Sequence, residues 1–520
     1  MTGDEMRITQ TAGRMATLSF SGLFLSYLIA FVGTILIARM LTPTEFGLAS
    51  IAFFVPNLVT IVGDFGISTA VTKFVAESAA KRDGEVGHFV NSAIVFDFLL
   101  GALMALAGIL LAPFISVSIL LKPDLVSLAY LASLQAITVT MYNVVYGIGV
   151  GLGEARLVGA MTTVQSLAQY GLSITLLVIG LGAKGVVIGY VFGPLASTVM
   201  ALGLLWRHSP PSTPRWKSLR KMLAFGTPLS GAAVLSAGTS SFYNLMVGRF
   251  ANAFELGDYA VATRLSFLYN LVVSPVGSAA LPAMSQLGIK SESDQLKRAF
   301  HYSVKVLVIL WVPLGVWLVL LSSQVIRLLF GNAYSGAAPY LILYVLAWLY
   351  AGGGEPVLRV LLQSKGQTWY LAKNQLYTLV SGVIVGVVLI PIWGVVGLLV
   401  TYLVTFWPAY LLLLRYAERN NAVSLPMSSI VRVYAATLVS SVPIAVIAVA
   451  PINYVAQLVL SLLLAIPAYL VALARLRGVD SGDLVLLENS LSGIPYVREV
   501  AAPVVRLMRR LMKKSTTSEA

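Results

Sequence analysis

The chain has 520 residues, of which 58% are hydrophobic and only 11% are charged, and its formal net charge is +14. A soluble globular domain carries about 25% charged residues, so this composition excludes a soluble protein and predicts an all-α polytopic membrane protein. The sequence has no cysteine and three histidines, which excludes disulfide frameworks, thiol nucleophiles and cysteine-based metal clusters.

Apolar runs of membrane-spanning length follow one another along the chain. A helix needs about 20 apolar residues to cross a bilayer core; the sequence has fourteen such runs, most of which fit this length, with short joints between them. The first run is too long for a signal-peptide core, so we expect it to be retained. The predicted membrane helices are 17–38, 46–65, 87–111, 125–150, 157–181, 184–206, 222–248, 256–284, 300–321, 338–362, 371–391, 394–414, 430–450 and 453–474.

The positions of the basic residues predict the orientation. Cytoplasmic loops of membrane proteins are enriched in Lys and Arg, and 29 of the 35 basic residues fall on the side of the N-terminus. The sequence therefore predicts a multi-pass protein of the plasma membrane with both termini in the cytoplasm, and no nucleic-acid partner is expected. The six basic residues that fall in the membrane or on the other side are Arg39, Lys122, Lys184, Arg249, Arg264 and Arg327.

One sequence pattern occurs twice, 210 positions apart. In the first copy it consists of Arg39, Glu45 and Gly47, and in the second of Arg249, Glu255 and Gly257. A weaker match relates Lys184-Gly-Val-Val187 to Trp393-Gly-Val-Val396 at an offset of 209. Because six helices separate the copies, the repeats are expected to be parallel, and transporters with such repeats bind substrate in a central cavity and work by alternating access.

The repeat predicts the domain organisation. Helices 1–6 and 7–12 form two parallel six-helix repeats, and helices 13–14 are an addition. The predicted parts are an N-terminal repeat at 1–207, a cytoplasmic linker at 208–221, a C-terminal repeat at 222–416, two further helices within 430–475, and a basic cytoplasmic tail at 476–520.

Two charged residues fall deepest in the predicted membrane helices. Arg264 lies nine residues beyond Glu255, about 13 Å along a helix, and Asp97 lies nine residues beyond His88. A charge facing lipid would cost on the order of 3 kcal/mol or more. Arg264 could anchor a diphosphate, or it could form a structural ion pair or bind carbonyls freed by Pro275. Asp97 could bind a coupling proton or sodium ion, or could only accept hydrogen bonds.

Further charged residues lie at the predicted helix ends. Arg39 and Arg249 could line the cavity or pair structurally with the repeat glutamates. Asp64 and Lys73, near the inner end of the second helix, could meet an incoming headgroup at the cytoplasmic mouth. By contrast Glu355 and Arg359, four residues apart on one helix, are better explained as a structural pair.

Prolines inside predicted helices indicate possible bending points, because each removes a backbone hydrogen bond. They could allow opening and closing of the cavity, or could be static kinks. These residues are Pro56, Pro228, Pro275 and Pro282.

No cofactor is expected. The glycine run at 147–153 follows no strand and lacks the Lys-Ser/Thr ending of a phosphate loop, so transport would be coupled to a sodium or proton gradient or to the membrane potential. Residues 498–514 form an amphipathic basic pattern that would lie on the anionic cytoplasmic leaflet, or remain solvated.

The two copies at 39–77 and 247–282 and the Gly-Val-Val joints resemble the polysaccharide exporter branch (Wzx-type flippases) of the multidrug/oligosaccharidyl-lipid/polysaccharide flippase superfamily. The resemblance implies fourteen helices in two V-shaped bundles. It also implies movement of a polyprenyl-(di)phosphate-linked oligosaccharide from the cytoplasmic to the outer leaflet, and association with glycan assembly enzymes. Tyr243-Asn244 departs from the family, which often has an acidic residue there.

Other functions remain open at this point. A lipid II-type flippase is a close variant. An organic-cation exporter of the related extrusion branch would favour an acidic cavity and twelve helices. A membrane glycosyltransferase or ligase would need catalytic residues on a large external loop, and the predicted joints are too short for one.

Overall fold

The computed structural model describes residues 3–60, 65–205, 212–289, 293–421 and 423–479. Within these ranges the chain is helical and contains no strand. Its residues group into two compact units, one made of Met1–Val261 with Gly386–Leu398 and the other of Ala262–Val385 with Leu399–Ala520.

The first unit holds ten complete helices and most of an eleventh. A π-helical turn, Phe114–Ile119, follows the fifth of them. The helices are α1 Gly3–Met40, α2 Pro43–Ala52, α3 Phe54–Val59, α4 Ile67–Lys81, α5 Val86–Pro113, α6 Val126–Ser133, α7 Gln135–Gly151, α8 Ala155–Val178, α9 Gly182–Leu205, α10 Trp216–Phe250 and α11 Ala253–Arg264.

The second unit contains the end of α11 and the remaining helices, except for Gly386–Leu398, which belongs to the first unit. The longest helical segment, α17, has non-helical backbone angles at Gly394 and is therefore two helices joined at that residue. These helices are α12 Ser266–Ile289, α13 Ser293–Leu320, α14 Ser322–Phe330, α15 Ala337–Trp348, α16 Glu355–Ser364, α17 Thr368–Asn421, α18 Met427–Val449 and α19 Tyr454–Arg475.

Apolar faces left uncovered by protein identify the membrane-spanning helices. On α5, Leu99, Leu103 and Leu110 are each more than 60% exposed, and their spacing places them on one face. A soluble protein would bury such a face, so this surface contacts lipid. The chain is a multi-pass membrane protein.

Within the described residues each predicted apolar run is mainly helical, but the count of fourteen spans remains a prediction. In the described parts of the chain, nine helices are long and apolar enough to cross a membrane, or ten when a helix pair bent by 48° is included. The predicted second span is split into α2 and α3, and two predicted spans are merged in α17.

Each unit has its own apolar core. In the first, Ile67 and Val71 of α4 pack with Ile148 and Met161. In the second, Phe300 and Leu307 of α13 pack with neighbours on α16 and α17. The repeat boundaries predicted from sequence remain predictions. Residues 208–211 of the predicted linker and the amphipathic segment 498–514 lie outside the described residues.

Candidate functional site

The turns at the start of the two repeat copies have the same hydrogen bonds. In the first, the Glu45 N–H donates to Thr42 Oγ1 at 3.3 Å, and the Thr42 N–H donates to Glu45 Oε2 at 3.1 Å. In the second, the Glu255 N–H donates to Asn252 Oδ1 at 2.8 Å, and the Asn252 N–H donates to Glu255 Oε2 at 3.0 Å. Both glutamates therefore complete capping boxes at helix N-termini.

The repeat arginines lie at the ends of the preceding helices. Arg39 is exposed in the last turn of α1, where a cation interacts favourably with the helix dipole. Arg249 Nη1 donates to the backbone carbonyls of Ser118 and Ile119. Arg249 therefore donates to carbonyls of the π-helical turn, while Oε2 of Glu255 accepts from the Asn252 N–H.

The first turns of α2 and α11 touch through glycine. A Cβ added to Gly47 would lie 2.0 Å from the Ala253 carbonyl oxygen, and one added to Gly257 would lie 1.9 Å from the Pro43 carbonyl oxygen. Only glycine permits this backbone approach. The repeat glycines thus bring the two copies into direct contact within the first unit.

A second pair of glycines faces the capping glutamates. Gly182 (φ +54°) and Gly394 (φ +55°) both have a positive φ. A Cβ would lie 3.3 Å from Glu45 Oε1 at the first and 3.6 Å from Glu255 Oε2 at the second. These two positions are 212 residues apart, whereas the Gly-Val-Val match relates residues at an offset of 209.

The Lys122 side chain caps the C-terminal end of α10. Its Nζ donates to the carbonyl oxygens of Gly248 at 2.6 Å and Ala251 at 2.9 Å. These are carbonyls that a helix C-terminus leaves without intrahelical donors. Burial lowers the pKa of the Lys122 ammonium, and the charge of Glu255 partly offsets this effect. Sequence reasoning placed Lys122 away from the cytoplasm but missed this role, which depends on tertiary contact.

The predicted cytoplasmic mouth is described in part. Asp64 lies outside the described residues. Lys73, on α4, forms an ion pair with Glu77 at 3.7 Å, and its Nζ lies 4.1 Å from the centre of the Phe225 ring. Both ion-pair side chains are about half exposed, so headgroup contact by Lys73 remains a prediction.

Asp97 is fully buried on α5 in the first unit. Its backbone carbonyl accepts a hydrogen bond of 3.4 Å from Thr140 Oγ1 on α7. The side chain is therefore enclosed by protein rather than facing lipid, as its cost in a bilayer requires. A role in ion coupling remains a prediction.

Two repeat-related helices are interrupted within the predicted membrane. The first break, at Phe53, separates α2 from α3, and the second, at Leu265, separates α11 from α12. Arg264 is the last residue of α11 and is exposed at the second break. The structure thus places this cation where two half-helices meet.

The four prolines occupy different settings. Pro56 is buried in the first turn of α3, three residues after the break at Phe53. Pro275 and Pro282 lie within α12, and Pro228 lies within α10, and both helices continue through them. Their role as bending points remains a prediction.

A third break lies in the second unit. A 3₁₀ turn, Leu349–Gly353, and the left-handed Gly354 (φ +91°) separate α15 from α16. Immediately after the break, the buried carboxylate of Glu355 pairs with the Arg359 guanidinium. The structural pair predicted from the i, i+4 spacing is confirmed.

Aromatic side chains surround this third break. The Tyr269 ring lies 4.9 Å from Trp311 and 5.0 Å from Trp348, and the Tyr350 ring lies 5.9 Å from Tyr410. Sequence reasoning missed this cluster. Its local signal was the glycine triplet 352–354 just after Trp348 and Tyr350, which marks a helix break beside large rings.

These features define a polytopic helical transporter with broken membrane helices related by an internal repeat. Solved structures share the fold. The lipid II flippase MurJ in an inward closed conformation matches with a TM-score of 0.71 at 15% identity, covering 88% of this chain and 98% of that one. An inward-facing MATE-family multidrug resistance transporter of the MOP superfamily matches with a TM-score of 0.66 at 15% identity, covering 78% and 98%.

The chain belongs to the polysaccharide biosynthesis protein family, which matches residues 36–339. It is 24% identical over 73% of its length to a probable low-salt glycan biosynthesis flippase, Agl15, of Haloferax volcanii, covering 77% of that protein. It is 21% identical over 63% of its length to the lipopolysaccharide biosynthesis protein WzxC of Escherichia coli, covering 64% of it. The succinoglycan biosynthesis transport protein ExoT of Rhizobium meliloti is 22% identical, with 61% and 62% covered. The chain therefore spans less than two thirds of the length of WzxC and of ExoT.

Proposed function

We propose that this protein is a flippase that moves a polyprenyl-(di)phosphate-linked oligosaccharide from the cytoplasmic to the outer leaflet. It would act as a secondary-type transporter in glycan biosynthesis rather than as an enzyme. Family membership and the names of the relatives support this class of substrate. The termini would lie in the cytoplasm and the chain in the plasma membrane, in agreement with the distribution of basic residues.

The observation that carries the proposal is the exposed Arg264 at the break between α11 and α12. Arg264 lies about 13 Å along the predicted membrane helix from Glu255 and is exposed, so its exposed part would face a water-filled path or a polar ligand rather than lipid, where a charge is costly. Arginine presents paired donors that match phosphate oxygens and stays charged when desolvated.

The break itself strengthens this anion site. The N-terminus of a helix attracts negative charge, and α12 begins at Ser266, two residues after Arg264. Half-helix N-termini bind anionic substrate groups in other transporters with broken helices. Arg264 and the start of α12 would therefore hold the diphosphate while the glycan occupies an aqueous cavity.

Alternating access would carry the headgroup across the membrane, and the breaks at Phe53 and Leu265 would allow the helices to bend. A sodium or proton gradient or the membrane potential would drive the cycle, with Asp97 as the coupling residue. Arg39, Arg249, Asp64 and Lys73 would contribute to the headgroup path, and glycan assembly enzymes would supply the substrate.

The test uses proteoliposomes containing a fluorescent polyprenyl-diphosphate oligosaccharide under imposed sodium, proton and voltage gradients. We expect protein-dependent translocation that Arg264→Ala reduces at least tenfold, because charged hydrogen bonds contribute about 1.5 to 3 kcal/mol. Arg298→Ala, which removes another exposed arginine in the same unit, should leave the rate within about twofold.

Two outcomes would contradict the proposal. Extrusion of organic cations without movement of the glycolipid would assign the protein to drug export. Equal translocation by wild type and Arg264→Ala would remove the diphosphate role of that residue. Preference for lipid II over other lipid-linked glycans would narrow the substrate to the lipid II-type variant.

A further inference from the structure

A polar pocket of about 600 Å³ lies within the second unit, between the short helix α14 and the joint of α18 and α19. This volume is in the range of small-molecule sites. The residues that line it from α14 are Ser323, Gln324 and Arg327, and those from the joint include Asn453, Tyr454 and Gln457. None of the lining residues is acidic, so the pocket is cationic.

Hydrogen bonds fix the wall of the pocket. Gln324 Nε2 donates to the Ala448 carbonyl and to Gln457 Oε1, both at 3.0 Å. Gln457 is buried, and its Nε2 donates to the carbonyls of Ala448 at 3.2 Å and Ala450 at 2.8 Å. The α18–α19 joint is therefore held in one conformation against α14, and the pocket is preformed.

Three side chains at the pocket carry donors that have no acceptor among the described residues. Among the residues that the structure describes, neither the Arg327 guanidinium nor the hydroxyls of Ser323 and Tyr454 form a side-chain hydrogen bond or ion pair. A guanidinium and two hydroxyls around one pocket match an anion that also carries polar groups.

The pocket borders the lipid surface. Val449, in its lining, is 83% exposed, and Val446 and Val459 on the adjoining helices are also more than half exposed. Tyr454 has the amphipathic character of residues at a membrane boundary. Arg298 and Arg475 mark the opposite ends of α13 and α19, which places the pocket at the outer boundary by the excess of cytoplasmic basic residues.

We propose that this pocket binds the phosphate-bearing headgroup of a lipid in the outer leaflet. Arg327 contacts the phosphate. The hydroxyl groups of the rest of the headgroup are contacted by Ser323, Gln324 and Tyr454. The phosphate can come from a glycolipid or from an anionic phospholipid, which share this chemistry. The site is separate from Arg264 and is defined by equilibrium binding, so it does not require that the chain transports either lipid.

The test uses the full-length protein in phosphatidylcholine nanodiscs with two photoreactive probes, a diazirine-labelled polyprenyl-diphosphoryl-N-acetylglucosamine and a diazirine-labelled phosphatidylglycerol. Cross-linked peptides are mapped by mass spectrometry. We expect adducts on residues 322–330 and 448–457 that Arg327→Gln reduces about tenfold, because it removes a charged hydrogen-bond donor. Arg298→Gln and Arg264→Ala should leave these adducts within about twofold.

The two probes distinguish the sources of the phosphate. Adducts confined to the glycolipid, weakened about threefold by Tyr454→Phe, would assign the pocket to a sugar-bearing headgroup. Equal adducts from phosphatidylglycerol that depend on Arg327 would assign it to bulk phospholipid. Adducts of both probes that Arg327→Gln leaves unchanged, in a variant that melts at the wild-type temperature, would overturn the proposal. If Arg327→Gln melts lower, unchanged adducts in Ser323→Ala and Tyr454→Phe would overturn it.

Discussion

The turn between α1 and α2 and the turn between α10 and α11 are built from the same parts. Each has a glutamate that caps the following helix and a glycine that touches the other copy. A glycine with a positive φ from another part of the chain lies beside each glutamate. These shared residues satisfy backbone groups or permit close packing. What the two copies have in common is therefore structural.

The two repeat copies differ in their charged residues farther along the helices that follow these turns. At the offset of 210, the position of Arg264 is occupied by Phe54 in the first copy, and that of the buried Asp258 by Leu48. Charge has a high cost in the membrane and is retained where it serves a purpose. The asymmetric residues are thus better candidates for function than the symmetric arginines.

The largest effect is expected from a substitution that breaks the glycine contact between the two copies. Gly257→Ala would place a methyl group 1.9 Å from the Pro43 carbonyl oxygen, a backbone atom that cannot move without shifting α2. We expect a loss of about 3 kcal/mol or more in the free energy of unfolding. The measurement is thermal unfolding of the purified protein, followed by size-exclusion chromatography.

Gly171→Ala is the matched control, because a Cβ there meets nothing within 4 Å on α8. Replacing glycine inside a helix by alanine gains up to about 1 kcal/mol, so this variant should be at least as stable as wild type. Wild-type stability of Gly257→Ala would show that the two copies do not touch at this point.

The next largest effect is expected from breaking an ion pair, and the loss in the free energy of unfolding can be compared between the two units. Glu355→Gln would leave the Arg359 guanidinium without its carboxylate beside the aromatic cluster, and breaking a largely buried pair costs about 3 kcal/mol. Lys73→Gln breaks the i, i+4 pair of the first unit, which is about half exposed, and should cost less than about 1 kcal/mol. Thermal unfolding of both variants in the same detergent gives the ranking, and equal losses would contradict it.

The helices and their repeat could be predicted because apolar length and recurring residues are local properties of the sequence. The capping role of Glu45 could also have been found, since Thr42 and Glu45 have the spacing of a capping box. The sequence placed Glu355 and Arg359 together for the same reason, because four residues form about one helical turn.

Tertiary geometry explains what could not be predicted. The break at Leu265 has no proline or glycine at its centre, so its position depends on packing. The shared setting of Gly182 and Gly394 could not be predicted either, because a positive φ is not visible in residue identity alone. The partners of Lys122 and Arg249 lie more than 120 positions away.

The smallest expected effect tests whether the two caps are equivalent. Thr42→Ala and Asn252→Ala each remove a side-chain acceptor for a helix N-terminal amide, which costs about 1 kcal/mol. Thr44→Ala, an exposed neighbour on α2, should change the free energy of unfolding by less than about 0.5 kcal/mol.

The comparison of the two caps is most informative when stability and glycolipid translocation are measured on the same preparations. Equivalent caps should lower stability equally and leave translocation within about twofold, since neither side chain lies at a helix break. A selective loss of translocation in Asn252→Ala would mean that the second turn acts on substrate as well as on α11. The region that acts on substrate would then include the turn after α10 as well as Arg264.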